Sequence, residues 1–281
     1  MALILDGKQV AAAEKGDLIA KVAALKDKGF TCGLAIIMVG DNPASRIYMN
    51  RLDKLAKSIG MASHPYHLPA DTPQEEVLAL IDKLNADPDI DGIIPMMPMP
   101  AHINADIIGE GILAQKDVDA IHPYNVGLFA SGKSVWAAST PRAVMAILDF
   151  YGIELSGRHA VVIGRSNVVG KPMTHLLLSR NATVTVCHSK TVNLADIVRQ
   201  ADVIVAAVGY PRLVKAEMVK PGAVVVDVGI NEVESGIVGD VDYDEVVKVA
   251  GAITPVPGGV GAVSTIMVMQ AVLRDFEVLH K

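Results

Sequence analysis

Cysteine and aromatic residues are scarce in this chain. Only Cys32 and Cys187 occur among its 281 residues, which is too few for a disulfide framework or a cysteine metal cluster. We therefore expect no metal site and a reducing, cytoplasmic environment. Aromatic residues make up 4% of the chain and hydrophobic residues 51%. Because the apolar residues are mainly Val, Ile, Leu and Ala, they are typical of strands buried between helices, and the predicted fold class is α/β.

Long apolar stretches and runs of positive charge are also missing. No window approaches the ~18 uninterrupted apolar residues of a membrane span, and the segment Met1–Asp6 does not resemble the start of a secretion signal. Lys and Arg total 25 against 31 Asp and Glu, for a net charge of −6. A basic stripe of the kind that binds nucleic acid is absent from the sequence. We expect neither a membrane nor a nucleic acid as a partner.

Six short apolar runs are separated by segments long enough for crossover helices, which predicts mostly parallel strands. In the second half of the chain four of these runs recur about every 20 residues, as in a doubly wound nucleotide-binding domain. We therefore predict a Rossmann-like domain with a parallel sheet in that half. The six runs are Leu34–Val39, Gly92–Met97, Ala160–Gly164, Ala182–Cys187, Val203–Val208 and Ala223–Val228.

The length of the chain favours two domains, since single hydrophobic cores stop growing at roughly 250–300 residues. A Gly/Ser-rich linker is expected within residues 125–140, and the next helix is predicted to start at Thr140-Pro141. The predicted domains are residues 1–138 and residues 139–261. The apolar helix of residues 262–281 is expected to pack back on the first domain.

A candidate phosphate-binding turn, Gly164-Arg-Ser-Asn-Val-Val-Gly170, follows one predicted strand and precedes a helix predicted over Val169–Ser179. Gly164 would allow a tight turn, Ser166 and free backbone N–H groups would face a phosphate, and Gly170 would let the helix pack closely on the strand. Ser166 stands where the G-x-G-x-x-G pattern has its middle glycine. The motif alone is therefore only moderately specific, and an ordinary strand–helix turn is the alternative.

The end of the next predicted strand decides between two nicotinamide cofactors. NAD enzymes usually place a carboxylate there, about 20 residues beyond the glycines, on the ribose hydroxyls. The segment Val186–Thr191 contains no carboxylate. Arg165 and Ser189 instead offer donors and positive charge to a ribose 2′-phosphate, which predicts NADP. His188 and Lys190 are further candidates, although each is also typical of a solvated residue at a strand end.

Two later turns follow predicted strands, at the edge where open α/β sheets bind ligands. The first contains Ile230, which we expect at the cofactor. The second contains Pro257, Gly258 and Gly259, which we expect at the substrate because glycines let the backbone approach a flat ligand closely. A purely structural turn is the alternative for each.

Five segments carry a combined pattern across nearly the whole chain. They are Asp41-Asn-Pro-Ala-Ser-Arg-Ile-Tyr48, Asp117-Val-Asp119 with His122-Pro-Tyr-Asn125, Thr140-Pro-Arg142, Gly164-Arg-Ser166 and Thr254–Gly261. Together, and in this order, they resemble the methylenetetrahydrofolate dehydrogenase/methenyltetrahydrofolate cyclohydrolase family. A chance collection of this size is very improbable, so the resemblance is the most specific signal in the sequence.

The resemblance implies an N-terminal αβ folate-binding domain, a C-terminal NADP domain, a cleft between them and a homodimer joined through the nucleotide domains. It also implies that Tyr48 lines the folate cleft and that Asp119 holds the pterin ring. An aromatic hydroxyl beside a flat ring and a carboxylate that accepts N–H groups suit these roles. The alternatives are that Tyr48 packs on its own domain and that Asp119 is a cap or turn acceptor.

Two positions depart from the family. Its cyclohydrolase chemistry depends on a lysine four residues after that tyrosine and on a glutamine in a later motif, and here Leu52 and Met96 occupy these positions. Lys54 lies on another face of the predicted helix. The guanidinium of Arg51 does not readily accept a proton at neutral pH. We therefore expect cyclohydrolase activity to be weak or absent.

Hydride transfer asks less of the side chains, because the cofactor carries the hydride. The leading hypothesis is NADP-dependent oxidation of 5,10-methylenetetrahydrofolate to the methenyl form, with Tyr48 and Asp119 placing the folate. The alternatives are a bifunctional enzyme that uses other residues, a dehydrogenase with a changed substrate, and a non-catalytic protein that binds NADP or folate.

Overall fold

The structure, a computed structural model, describes residues 1–134, 136–234 and 236–280. Its chain divides into two compact units. The large-sheet unit comprises Met1–Ala13 and Thr140–Ser264, and the small-sheet unit comprises Glu14–Ser139 and Thr265–Lys281.

Eleven strands and ten α-helices lie within these described residues. The strands are β1 (Leu3–Ile4), β2 (Gly33–Val39), β3 (Ala62–Leu68), β4 (Gly92–Pro95), β5 (His159–Ile163), β6 (Thr183–Cys187), β7 (Val203–Ala206), β8 (Val224–Asp227), β9 (Asn231–Val233), β10 (Gly236–Val238) and β11 (Ala252–Ile253). The helices are α1 (Gly7–Lys26), α2 (Pro43–Ile59), α3 (Gln74–Ala86), α4 (Ala105–Gly111), α5 (Pro123–Ala130), α6 (Ser139–Phe150), α7 (Gly170–Ser179), α8 (Leu194–Val198), α9 (Tyr243–Val246) and α10 (Val260–Leu279). All six predicted apolar runs form strands.

Six parallel strands in the order β1-β11-β8-β7-β5-β6 form the large sheet. The chain passes from β5 to β6 on one side and then to β7 on the other, so the connections diverge at the carboxyl ends of β5 and β7. In open α/β sheets this switch point is where ligands bind. Buried residues of the central strands share one core, among them Val161, Ile163, Ile204, Ala206 and Val225. The predicted Rossmann-like parallel sheet is confirmed.

Three parallel strands in the order β3-β2-β4 form the small sheet. Every residue of the central strand β2 is buried, as expected for an apolar strand covered on both faces. One core of this unit joins the sheet to α3 and α4, through Ile37, Ile81, Ile93 and Ile108. The N-terminal half is therefore also α/β, as predicted.

Residues 1–13 belong to the large-sheet unit, which corrects the expectation of a single first domain over residues 1–138. The reason is that β1 extends the large sheet, where the amide of Leu3 donates to the carbonyl of Gly251 at 2.8 Å. A strand of two residues leaves no periodicity in the sequence from which it could be predicted. The C-terminal helix α10 starts in the large-sheet unit, and from Thr265 onward it groups with the small-sheet unit.

The predicted helix starts are close to the observed ones. Helix α6 begins one residue before the predicted Thr140-Pro141, and α7 begins one residue after the predicted Val169. The expected linker of residues 125–140 is partly helical, which corrects the prediction of a stretch without regular structure: it contains residues 125–130 of α5 and the first two residues of α6. It also contains Val135, which lies outside the described residues. Helix ends commonly differ by a residue or two between assignments.

Candidate active site

Two glycines shape the turn after β5. Gly164 has a φ of +125°, a left-handed value that favours glycine, and a Cβ there would lie 2.2 Å from the carbonyl oxygen of Ala207. Because Ala207 follows β7, this glycine lets the two strand ends meet at the switch point. At Gly170 a Cβ would lie 2.3 Å from the carbonyl oxygen of Gly164. Helix α7 therefore starts directly against the strand end, in agreement with the predicted close packing.

Ser166 closes the turn that leads into helix α7. Its hydroxyl oxygen accepts from the amides of Val169 at 3.1 Å and Gly170 at 3.4 Å, and its carbonyl accepts from the amide of Lys171 at 3.0 Å. Serine hydroxyls commonly bond to nearby backbone amides in turns of this kind. Ser166, expected to face a phosphate, thus has a structural part in forming the turn, and its contact with a ligand stays a prediction.

The strand register places Arg165 and Ser189 at neighbouring strand ends. Ile163 on β5 pairs with Cys187 on β6, and the amide of Gly164 continues the ladder to the carbonyl of Cys187 at 2.8 Å. Arg165 and Ser189 each follow the last paired residue by two positions, and both are exposed. Their donors therefore lie at one edge of the sheet, where a ribose phosphate of a cofactor in the turn would need them.

His188 has local bonds that shape its own turn. Its amide donates to Thr191 Oγ1 at 2.9 Å, and its Nδ1 accepts from the amide of Lys190 at 3.1 Å. These contacts favour the structural interpretation of His188. Lys190 is exposed, and the segment from β6 to Thr191 carries no carboxylate.

Sequence reasoning missed two buried carboxylates at the same edge of the large sheet. Asp240 is 0% exposed, and its carboxylate accepts from four donors. Three are the amides of Val208 at 2.6 Å, Gly209 at 3.0 Å and Tyr210 at 3.0 Å, and the fourth is Asn231 Nδ2 at 2.9 Å. Asp240 therefore joins the loop after β7 to the start of β9.

Asp227, at the end of β8, is the second buried carboxylate. It accepts from the amides of Gly229, Asp240 and Val241, each at 2.9 Å. The pKa of Asp227 is raised to about 6, mainly by burial and also by the charge of Asp240. The hydrogen bonds from the three amides oppose this rise. Gly229 and Gly239 are the signal by which the sequence could have indicated these buried carboxylates. A Cβ at Gly229 would lie 2.2 Å from Asp240 Oδ1, and one at Gly239 would lie 1.8 Å from Asp227 Oδ2.

Ile230 lies in the loop that these carboxylates hold. The side chain is 62% exposed, and its Cδ1 lies 3.5 Å from where a Cβ of Gly261 would be. A large exposed apolar side chain on a fixed loop suits contact with a flat ligand. Its predicted contact with the cofactor stays a prediction.

The second glycine-rich turn is packed against the start of α1. A Cβ at Gly259 would lie 2.5 Å from the carbonyl oxygen of Pro255, and a Cβ at Gly7 would lie 2.0 Å from the carbonyl oxygen of Gly259. Gly258 has a φ of +107°, and Pro257 is exposed. The turn is therefore built for close backbone packing. The expected contacts of Pro257, Gly258 and Gly259 with the substrate stay predictions.

Tyr48 lies on α2, whose first turn is fixed to the segment after β4. Asn42 Oδ1 accepts from the amide of Ser45 at 3.0 Å, and Ser45 Oγ donates to the carbonyl of Met97 at 2.8 Å. Tyr48 follows about one helical turn later and is half-buried. The helix that carries Tyr48 therefore lies beside the methionine-rich segment Met96–Met99.

The two departures from the family pattern are buried apolar side chains. Leu52 is 0% exposed and Met96 is 3% exposed. The amide of Met96 donates to the carbonyl of Ile37 at 2.7 Å, which continues the β2–β4 ladder by one residue. Arg51 and Lys54 are both exposed. Neither buried position therefore supplies a group that can take up or release a proton.

Asp119 accepts a hydrogen bond from the start of α6. Its Oδ1 lies 2.7 Å from the amide nitrogen of Ser139, and the side chain is half-buried. This contact is of the cap type, which is the alternative that the sequence left open for Asp119. Its predicted contact with a pterin ring stays a prediction.

Two other kinds of site have no counterpart in the described residues. No three His, Cys, Asp or Glu side chains in residues 1–134, 136–234 and 236–280 are grouped to hold a metal ion. Over the same ranges no helix is both long enough and apolar enough to cross a membrane.

A glycine turn at the switch point of a parallel sheet, with a helix that begins directly against the strand end, is typical of one class, the dinucleotide-binding α/β proteins. Residues 138–280, more than half of the chain, match the NAD(P)-binding domain of the tetrahydrofolate dehydrogenase/cyclohydrolase family. Residues 5–119 match the catalytic domain of the same family. The chain belongs to this family, which confirms the resemblance found in the sequence.

Relatives align over nearly the full length of the chain. A protein of Geotalea daltonii named bifunctional protein FolD is 48% identical over 276 residues, which are 98% of this chain and 99% of that protein. The crystal structure of the bifunctional FolD dehydrogenase/cyclohydrolase of Campylobacter jejuni is 46% identical, with a TM-score of 0.96 over 99% of this chain and 100% of that chain. The Trypanosoma brucei dehydrogenase-cyclohydrolase, solved with NADP and an inhibitor, is 36% identical, with a TM-score of 0.96 over 100% and 99%.

Proposed function

We propose that this protein oxidises 5,10-methylenetetrahydrofolate to 5,10-methenyltetrahydrofolate with NADP and hydrolyses the methenyl product weakly or not at all. The first half is supported by family membership and by the glycine-built turn after β5. The observation that carries the second half is the burial of Leu52 and Met96, 0% and 3% exposed, at the positions of the family's lysine and glutamine.

The residues at the nucleotide edge fit NADP, which supplies the hydride acceptor when bound. Gly164 and Gly170 let the ends of β5 and β7 and the start of α7 pack closely, so the N-terminal end of α7 lies at the switch point, where a helix N-terminus suits a pyrophosphate. The exposed Arg165 offers a planar, permanently charged group, and Ser189 offers a hydroxyl donor. These groups suit a ribose 2′-phosphate, and no carboxylate competes for the ribose.

Tyr48 and Asp119 orient the folate in this proposal. A half-buried tyrosine presents a ring face and a hydroxyl, and an aspartate accepts from the amino and ring N–H groups of a pterin. Pro257, Gly258 and Gly259 form the further contact surface, where the backbone comes close to the ligand. The homodimer and the cytoplasmic location expected from the sequence stay predictions.

Hydrolysis of the methenyl bridge needs a group that accepts a proton from water near the reacting carbon. A buried leucine and a buried methionine cannot do this. Replacement of both residues also leaves no amide or ammonium without a partner, which loss of one alone would do. The pair is therefore consistent with a site that keeps its packing and lacks the hydrolytic step.

The competing function is a bifunctional enzyme that hydrolyses the product with other residues. It is favoured by the relatives at 48% and 46% identity, which are named as bifunctional. The two functions share the dehydrogenase step and differ only in hydrolysis.

Separate assays of the purified protein distinguish the two functions. We expect NADP reduction that depends on methylenetetrahydrofolate, and methenyl hydrolysis at the rate of the buffer. Asp119→Asn is the matched variant and should raise the KM for folate while NADP binding is unchanged. Lack of NADP reduction, despite NADP binding, would show that the dehydrogenase assignment is wrong. Hydrolysis well above the buffer rate, and lowered in Asp119→Asn, would favour the bifunctional enzyme.

A further inference from the structure

We propose that Arg274 on α10 is a positioning residue that holds the loop carrying Asp119 and the segment leading into α6. The inference rests on the proposed role of Asp119 in folate binding. All the contacts it uses lie within the small-sheet unit.

The guanidinium of Arg274 makes contacts in three directions. Its Nε donates to Asp275 Oδ1 at 2.6 Å, and its Nη2 donates to the carbonyl of Asp117 at 3.3 Å. Its central carbon lies 4.7 Å from the ring centroid of Trp136. The side chain is 17% exposed. A guanidinium removed from water and stacked on an indole is in the geometry where cation–π attraction is strongest.

The loop that Arg274 contacts is organised by the carboxylate of Asp117, which is 0% exposed. It accepts from the amides of Ile121 at 3.1 Å and His122 at 2.8 Å and from Asn125 Nδ2 at 2.8 Å. These bonds fold the chain between Asp117 and Asn125 into a closed turn. A contact from Arg274 to the start of that turn therefore fixes the turn as a whole.

The segment before α6 is the second part that Arg274 contacts. Trp136 precedes Ser139 by three residues, and the amide of Ser139 donates to Asp119 Oδ1 at 2.7 Å. Arg274 thus contacts one partner on each side of this hydrogen bond, the Asp117 carbonyl and the Trp136 ring. Its loss should let the two segments separate and change the direction of the Asp119 carboxylate.

Lysine cannot make the same set of contacts. An ammonium is a compact point charge without a planar face or a fork of donors, so it would keep the charge beside Asp275 and lose the stacking on Trp136. Asp275 is 2% exposed, and its Oδ2 has no hydrogen-bond partner in the described part of the chain. The ionic partner of the Asp275 carboxylate is therefore Arg274.

Arg274→Lys tests the proposal, with Trp136 as a built-in probe because it is the single tryptophan of the chain. We expect the KM for methylenetetrahydrofolate to rise about tenfold or more, as for other misplaced binding groups. The KM for NADP should not change. The emission of Trp136 should shift, and hydrogen exchange at the amides of Ser139, Ile121 and His122 should become faster.

Arg180→Lys is the matched control. Arg180 and Asp149 both lie in the large-sheet unit, where they form an exposed ion pair at 2.6 Å. The substitution should change none of these quantities. If Arg274→Lys does not fold, Trp136→Leu removes the stacking face and should raise the same KM and speed the same exchange.

Unchanged KM, emission and exchange in Arg274→Lys would overturn the proposal. If Arg274→Lys speeds exchange at these amides but the wild-type protein shows no dehydrogenase activity, Arg274 still positions the two segments. That result would count against the proposed function only. A tenfold change in both KM values would show a general loss of structure and would also overturn the proposal.

Discussion

The large-sheet unit and the small-sheet unit present different kinds of candidate site. Around Gly164 the edge that is predicted to face the ligand is mostly main chain. Its shape requires glycine, because a Cβ at Gly164 would meet the carbonyl of Ala207. Around Leu52 the chemistry depends on which side chain is present, because a buried helix position accepts residues of similar volume. A main-chain site is therefore hard to change without harm to the fold. A side-chain site can lose one chemistry and keep its packing.

Carboxylates are expected to serve two purposes in this protein. Asp227 and Asp240 in the large-sheet unit and Asp117 in the small-sheet unit are buried and accept mainly from backbone amides, so they fix loop shape. Asp119 is half-buried and accepts from the amide of Ser139, and it is predicted to contact substrate. The predicted ligand-binding carboxylate is therefore the more exposed one.

The largest expected effect comes from returning the family's pair to the small-sheet unit. Leu52→Lys with Met96→Gln should raise methenyl hydrolysis about 10²-fold or more, the usual contribution of a positioned proton-transfer group. The amide gives the buried ammonium a partner, which Leu52→Lys alone lacks. Absorbance of the methenyl form measures the rate. Leu52→Met with Met96→Leu is the apolar control and should give no gain. A folded double variant that gains no methenyl hydrolysis would contradict the view that these two side chains decide the hydrolytic chemistry of the small-sheet unit.

Gly164→Ala tests whether the turn after β5 requires a residue without a side chain. Its Cβ would meet the Ala207 carbonyl at 2.2 Å with φ at +125°, so we expect the free energy of unfolding to fall by about 2–4 kcal/mol. NADP binding should be lost in the protein that still folds. Chemical denaturation and cofactor titration measure the two effects.

Gly152→Ala is the control for backbone strain alone. Gly152 has a φ of +64°, and a Cβ added there would meet nothing within 4 Å. The substitution should therefore cost only about 1 kcal/mol, the penalty for a left-handed alanine. Equal losses in the two variants would mean that the contact between the strand ends carries no special weight.

Arg165→Ala tests the charged side chain that is predicted to bind the ribose 2′-phosphate at the nucleotide edge. A charged hydrogen bond contributes about 1.5–3 kcal/mol, so the Kd for NADP should rise about tenfold to a hundredfold while the Kd for NAD changes little. Titration with each cofactor measures this. Arg180→Ala, which also removes an exposed guanidinium, should change neither value. Equal weakening of NADP and NAD would contradict the phosphate role.

The parts that could be predicted from sequence are those with local patterns. Runs of Val, Ile and Ala indicated six strands, and glycine spacing indicated the turn after β5. Strand β3 was missed because Ala62–Leu68 carries polar Ser63, His64 and His67, which interrupt the apolar run. The pairing of Asp227 with Asp240 could not be foreseen, because each acid alone is typical of a turn and the bonds join separate loops.

The smallest effect concerns Asp227, whose pKa burial raises from 3.8 to about 6 in the folded protein. Between these two values the unfolded chain releases the proton and the folded chain keeps it, so stability falls as pH rises through this window. Asp227→Asn removes that group, and its unfolding free energy should decline less steeply with pH in this window, by at most about 1.4 kcal/mol per pH unit. Denaturant titrations at a series of pH values compare the two slopes. Asp244→Asn, an exposed carboxyl on α9, controls for the loss of one charge. If the Asp227→Asn slope matched that of the wild type, Asp227 would keep a fixed charge across this window, and the stability of the main-chain site would not depend on its titration.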